Sequence, residues 1–200
     1  MGQGMRILFV ALACAILWAA FTYKPPSWFY LSVFAVIFLF YSNTLTERVP
    51  LYLSNRTTWA ALAQLLDQHP TQPAQRPAFI DLGCGLGGTL SHLAHVKPDW
   101  DIVGVESAPG PYLIAKARTA FLPNVQVRFQ SLWQADLARF DVAYAFLSPA
   151  PMARLHTKAG QQMRPGSLFV SNSFWADDQP FDGEIELNDS RSTRLIFKNM

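Results

Sequence analysis

The stretch Phe79-Ile80-Asp81-Leu82-Gly83-Cys84-Gly85-Leu86-Gly87-Gly88 decides the fold. Apolar residues run into an acid and then into alternating glycines, the pattern of a buried strand that ends in a sharp turn. A backbone turning beneath a ligand needs residues without Cβ, and a helix starting behind the turn aims its free N–H groups at that ligand. A phosphate-cradling loop needs a lysine after its last glycine. Here Thr89 follows Gly88, which argues against nucleoside triphosphate hydrolysis. The dinucleotide spacing G-x-G-x-x-G is met by Gly83, Gly85 and Gly88, with Glu106 roughly twenty residues on, so a dinucleotide stays in contention.

Asp81 weighs against the dinucleotide. A carboxylate two residues before the first glycine sits badly beside a pyrophosphate, whereas it suits a ligand carrying a cationic amino group and a sulfonium. The string D-x-G-x-G-x-G, Asp81 to Gly87, resembles motif I of the class I S-adenosylmethionine-dependent methyltransferases. The resemblance implies that S-adenosylmethionine is the cofactor and that Asp81, Gly83, Cys84, Gly85 and Gly87 surround it. Glu106, at the end of IVGVES, then corresponds to the family's ribose-binding acid, and a carboxylate there can accept from both ribose hydroxyls. Where many family members carry an Asp near the adenine, this chain reads FQSLW. Ser131 is left to bond the base, with Leu132 beside it.

Composition bounds the rest. The chain has 200 residues, half of them apolar, and a net charge of +2, enough for one ordinary domain plus an appendage. No strongly basic surface is implied, so nucleic acid is not expected as a partner. Cys14 lies in an apolar run and Cys84 in the glycine loop, and no Cys/His set has zinc spacing. His92 and His95 are three apart on an expected helix without a third ligand, so they read as a solvated face and no metal is expected.

Residues 7–23 and 28–41 contain no charge and flank Lys24-Pro25-Pro26. Together they predict a membrane hairpin over residues 1–45, two apolar transmembrane helices with interfacial aromatics at the proline turn. Arg6, Arg48 and Arg56 fall on one side and Lys24 on the other, which places both ends, and the catalytic domain, on the cytoplasmic side. A cleaved signal at residues 1–20 and a hairpin dipping into one leaflet are the competing readings.

Residues 46–77 read as a surface segment, a packing helix capped by Thr57 or Thr58 and covering an edge of the sheet, and a proline-rich linker. Residues 78–200 then alternate strand and helix, predicting a Rossmann-like, doubly wound α/β sheet. Strands are expected at 79–81, 102–106, 125–129, 142–147 and 168–172, with helices at 86–96, 112–120 and 151–163. The sheet closes with an antiparallel hairpin at 184–187 and 194–197.

After the fourth expected strand the chain reads FLSPAPM, where many amino methyltransferases carry an Asn-Pro-Pro-Tyr type sequence. Together with SLW and LFVSNSF, this resembles the small membrane-anchored protein-lysine methyltransferases that modify the adenine nucleotide translocase or the ATP synthase c-subunit. The resemblance implies N-methylation of a protein lysine, with Phe146, Ser148, Pro149, Phe174 and Trp175 on the acceptor side. A lipid, quinone or other small-molecule acceptor is an alternative, as is a SAM- or dinucleotide-binding module without turnover. The acids Asp177 and Asp178 attract a cationic acceptor or simply form a solvated surface. No residue of the sequence stands out as a general base.

Overall fold

The computed structural model describes residues 18, 22–41, 52–69, 76–176 and 178–200. Among the described residues five α-helices and seven strands are delimited, in chain order. The helices are α1 (Ser27–Tyr41), α2 (Arg56–Gln68), α3 (Gly88–Val96), α4 (Pro109–Arg118) and α5 (Met152–Gln162). The strands are β1 (Ala78–Leu82), β2 (Asp101–Glu106), β3 (Val125–Phe129), β4 (Val142–Ala145), β5 (Leu168–Asn172), β6 (Gly183–Glu186) and β7 (Arg194–Asn199).

The strands form one sheet in the order β3-β2-β1-β4-β5-β7-β6. The first five are parallel, as crossover helices require. β7 pairs antiparallel with both β5 and β6, so the expected C-terminal hairpin is present and β7 is inserted between its partner and the parallel half. Side chains alternate across β1, so Phe79 enters one core layer and Ile80 and Leu82 the other. The first layer joins α2 and α3 to the sheet through Leu62, Leu66, Leu90 and Leu93. The second joins α5 through Met152 and Leu155.

Several expected boundaries shift for local reasons. α3 begins at Gly88 and not at residue 86 because Gly83, Gly85 and Gly87 hold φ of 89°, 53° and 71°, incompatible with helix. α4 begins earlier, at Pro109, where proline's fixed φ and missing N–H suit a first turn. α2 is capped by Asn55, not by Thr57 or Thr58: the Asn55 side-chain oxygen accepts from the Thr58 N–H at 2.9 Å. α2 packs on α3 and on β7, and Leu62 joins the core layer that also holds Phe79 and Tyr144.

In α1, fifteen residues without a charge are apolar on all sides. Its length is about 22 Å, against about 30 Å for a bilayer's hydrocarbon. Among the described residues no helix is long and apolar enough to cross a membrane, so the expected pair of transmembrane helices is not met by them. Apart from residues 18, 22 and 23, the first apolar segment lies outside the described residues, as does most of the expected linker at 70–77.

Candidate functional site

The site forms where β1, β2 and β4 deliver their carboxyl ends. Gly83 and Cys84 donate their backbone N–H groups to the Val105 carbonyl, both at 3.0 Å, which clamps the glycine turn onto β2. Gly87 then caps α3 in the left-handed region, and a Cβ there would lie 3.0 Å from both the Cα and the Cβ of Ala115 on α4. The turn therefore needs glycine twice over, for its dihedrals and for the close approach of α4.

Two buried carboxyls flank this turn. Glu106 accepts from the Gly85 N–H at 2.9 Å and from the Ala108 N–H at 2.8 Å, so it braces the loop. Asp81, paired across the sheet with Gly104 and Tyr144, is 3 % exposed and has no hydrogen-bond donor among the described residues. Burial, and secondarily the charge of Glu106, push its carboxyl up to about 8. Burial also raises the Cys84 thiol, with the two carboxylates adding to it, so Cys84 is an inert packing group and not a nucleophile.

Asp81 opens into a chamber of about 140 Å³ whose walls include Tyr52, Ser54, Gly83, Tyr144 and Phe146. Tyr52 and Ser54 come from the strap that precedes α2. The Tyr144 hydroxyl, fully buried, shares a 2.8 Å hydrogen bond with Ser54 Oγ and accepts from Asn172 Nδ2 at 3.3 Å. Its pKa is raised by burial and by Asp81, which keeps it protonated. The strap is fastened at two further points: Asn55 Nδ2 donates to Asp189 at 2.5 Å, and Arg191 donates to the Leu53 carbonyl at 3.0 Å. Above it, the Tyr52 ring lies 5.1 Å from Phe146 and 5.8 Å from Phe174.

The residues expected from sequence are thus brought together unevenly. The glycine turn, Asp81 and Glu106 form one cradle, with Phe146 and Phe174 beside it. Ser131 caps the short turn Leu132–Gln134, accepting from the Trp133 N–H, and Leu132 is buried in the second core layer. Ser148 is buried and Pro149 exposed at the turn into α5. Trp175 is not brought to Phe146: it packs on His156 at 3.9 Å and on Phe169 at 5.7 Å, and donates to the Gln179 carbonyl. Asp177 lies outside the described residues. His92 is half-buried and stacks on Trp59 at 5.7 Å, not a solvated face, and burial lowers its pKa. Tyr52, Ser54, Trp59, Tyr144 and Arg118 escaped sequence reasoning, because nothing in their local pattern ties them to a loop 20 to 60 residues away.

The donor set fits S-adenosylmethionine. Asp81 is a buried acceptor without a donor among the described residues, matched to a cationic amino acid end, and it shares the chamber with Gly83 and Gly88 of the turn. A parallel half-sheet in this order, a left-handed glycine turn after β1 and an acid at the end of β2 define a class I S-adenosylmethionine-dependent methyltransferase. The family described as ANTKMT methyltransferase domain matches residues 81–181, half of the chain, and the chain belongs to that family.

Solved structures agree on the fold. An RNA methyltransferase from Salinibacter ruber, in complex with S-adenosyl-L-homocysteine, superposes with a TM-score of 0.63 at 20% identity, over 74% of this chain and 93% of that one. A SAM-dependent O-methyltransferase from Thermotoga maritima gives 0.58 at 14% identity, over 81% and 71%. Fibrillarin from Aeropyrum pernix, with natively bound S-adenosyl-L-methionine, gives 0.50 at 18%, over 69% and 73%. No curated protein matches the sequence.

Proposed function

We propose that this chain is a membrane-anchored methyltransferase that N-methylates a lysine of a protein, with its catalytic domain on the cytoplasmic side. The observation that carries the acceptor is the aromatic group in which Tyr52 and Phe146 line the Asp81 chamber and Phe174 packs on Tyr52. The charge-free helix α1, apolar on all sides, and the apolar segment before it support anchorage.

The cofactor supplies a methyl group on a positively charged sulfur, which passes to a nucleophile while the electron pair of the broken carbon–sulfur bond returns to sulfur. Asp81 and the glycine turn would hold the amino acid end, and Glu106 would accept from the ribose hydroxyls. An acceptor lysine has a reference pKa of about 10.4 and must lose a proton before its nitrogen is nucleophilic. The rings of Tyr52, Phe146 and Phe174 favour the neutral amine by excluding water, and they hold the side chain in line. Alignment of the two partners supplies most of the acceleration.

Incubation with radiolabelled S-adenosylmethionine and membrane extract tests the acceptor. Label on protein, mapped to lysine, is the expected result. Label in the solvent-extractable fraction would replace the lysine with a lipid or quinone.

A further inference from the structure

The chamber beside the glycine turn is built for a zwitterion, not for a cation alone. Its acceptor without a donor is Asp81. It also contains the converse, donors without an acceptor. Arg118, whose side chain is exposed to solvent, is the one cationic side chain among the described residues that line it, and none of those residues accepts a hydrogen bond from it. Trp59 lines the same chamber, and its indole N–H, which can only donate, is buried with no partner among the described residues.

The backbone explains how these donors come together. Ala115 of α4 packs against Gly87, and Arg118, three residues on, projects from the same helical face. It therefore reaches the first turn of α3, where a Cβ on Gly88 would lie 3.5 Å from Arg118 Nη1. The same Cβ would lie 2.5 Å from Trp59 Cζ2, so Gly88 is the floor on which both donors rest. Arg118 and Trp59 also border the adjoining cleft lined by Arg56, Ser91 and His92, which adds positive potential on the Arg118 side.

We propose that Arg118, assisted by the Trp59 indole N–H, binds the carboxylate of the cofactor's methionine end while Asp81 binds its ammonium. An α-amino acid carries both charges on one carbon, so a pocket offering only Asp81 would leave a buried carboxylate unpaired beside another carboxylate. A guanidinium offers a carboxylate two parallel N–H donors, and the open start of α3 adds backbone N–H groups on the same side. The assignment rests on the reading of Asp81 as the ammonium site.

Calorimetric titration of the full chain tests it with two ligands: S-adenosylhomocysteine, and its decarboxylated analogue, which keeps the amine and lacks the carboxylate. Arg118→Ala should weaken S-adenosylhomocysteine about tenfold or more, the usual size of a lost charged hydrogen bond, and leave the analogue unchanged. Arg118→Lys should lose less, and Trp59→Phe, which keeps the ring on His92, should weaken S-adenosylhomocysteine alone. Equal affinity of wild type and R118A for S-adenosylhomocysteine, or an equal loss for both ligands, overturns the assignment. If the wild-type chain binds neither ligand, the cofactor reading of Asp81 falls with it.

Discussion

Asp81 and Glu106 stand on neighbouring parallel strands and both are buried, yet among the described residues Glu106 accepts from the Gly85 and Ala108 N–H groups while Asp81 has no donor. The two acids therefore do different work. Glu106 is engaged by the loop, while burial and the charge of Glu106 hold the Asp81 carboxyl up at about 8 until a cation arrives.

That asymmetry makes cofactor binding pH-dependent. With its carboxyl at about 8, Asp81 is mostly protonated in the free chain at pH 7, and an ammonium lowers its pKa, so binding releases a proton. Affinity for S-adenosylhomocysteine should rise with pH through the neutral range and level off above about 8. Calorimetry at pH 7 in two buffers of different ionisation enthalpy should report this release, and Asp81→Asn should abolish it.

The same group acts on stability with the opposite trend. The folded chain keeps the Asp81 proton up to about 8, whereas the unfolded chain loses it near 3.8. Stability from this residue is thus present at low pH and is lost as pH rises across that window. Asp81→Asn should raise the melting temperature of the ligand-free chain at pH 8 by roughly 4 °C or more, and by much less at pH 5.

Gly87 carries both a positive φ and the contact with Ala115. Gly87→Ala combines strain with a steric conflict that neither α3 nor α4 can relieve alone. It should cost about 1–3 kcal/mol in chemical denaturation and remove S-adenosylhomocysteine binding.

Tyr144 ties the strap to the sheet through Ser54 and Asn172. Tyr144→Phe keeps the packing on Phe79 and leaves both polar partners in want of a hydroxyl. A loss of about 1–3 kcal/mol is expected. Ser54→Ala should lose less, and the double variant should lose less than the sum, because both changes break one contact.

For the vestibule, Tyr52→Ala removes the ring shared by Phe146 and Phe174. The KM for the acceptor should rise by roughly tenfold, as for the loss of one well-packed aromatic contact. S-adenosylhomocysteine affinity should move much less, and Tyr52→Phe should restore most of the acceptor KM.

The parallel half of the sheet was legible because β1 to β5 are short apolar runs bounded by glycine, proline and acids. The cradle was legible because motif I keeps Asp81 and its glycines within seven residues. What escaped was contact between distant segments. Asn55 won the cap from Thr57 and Thr58 because it is also fixed by Asp189, some 130 residues on. Trp175 is expected with Phe146 and Phe174 on the acceptor side, but Ser173, at a φ of 67°, turns the chain after β5, and Trp175 packs on His156 in the second layer. The strap and Arg118 reach the site only through tertiary packing of α2 and α4, which leaves no periodic trace.

The pocket itself is tested most directly by titrating the full chain with S-adenosylhomocysteine and, separately, with NADH. The account predicts one-to-one binding of S-adenosylhomocysteine that Asp81→Asn abolishes, and no heat from NADH. Tight NADH binding with no response to S-adenosylhomocysteine or S-adenosylmethionine would contradict it.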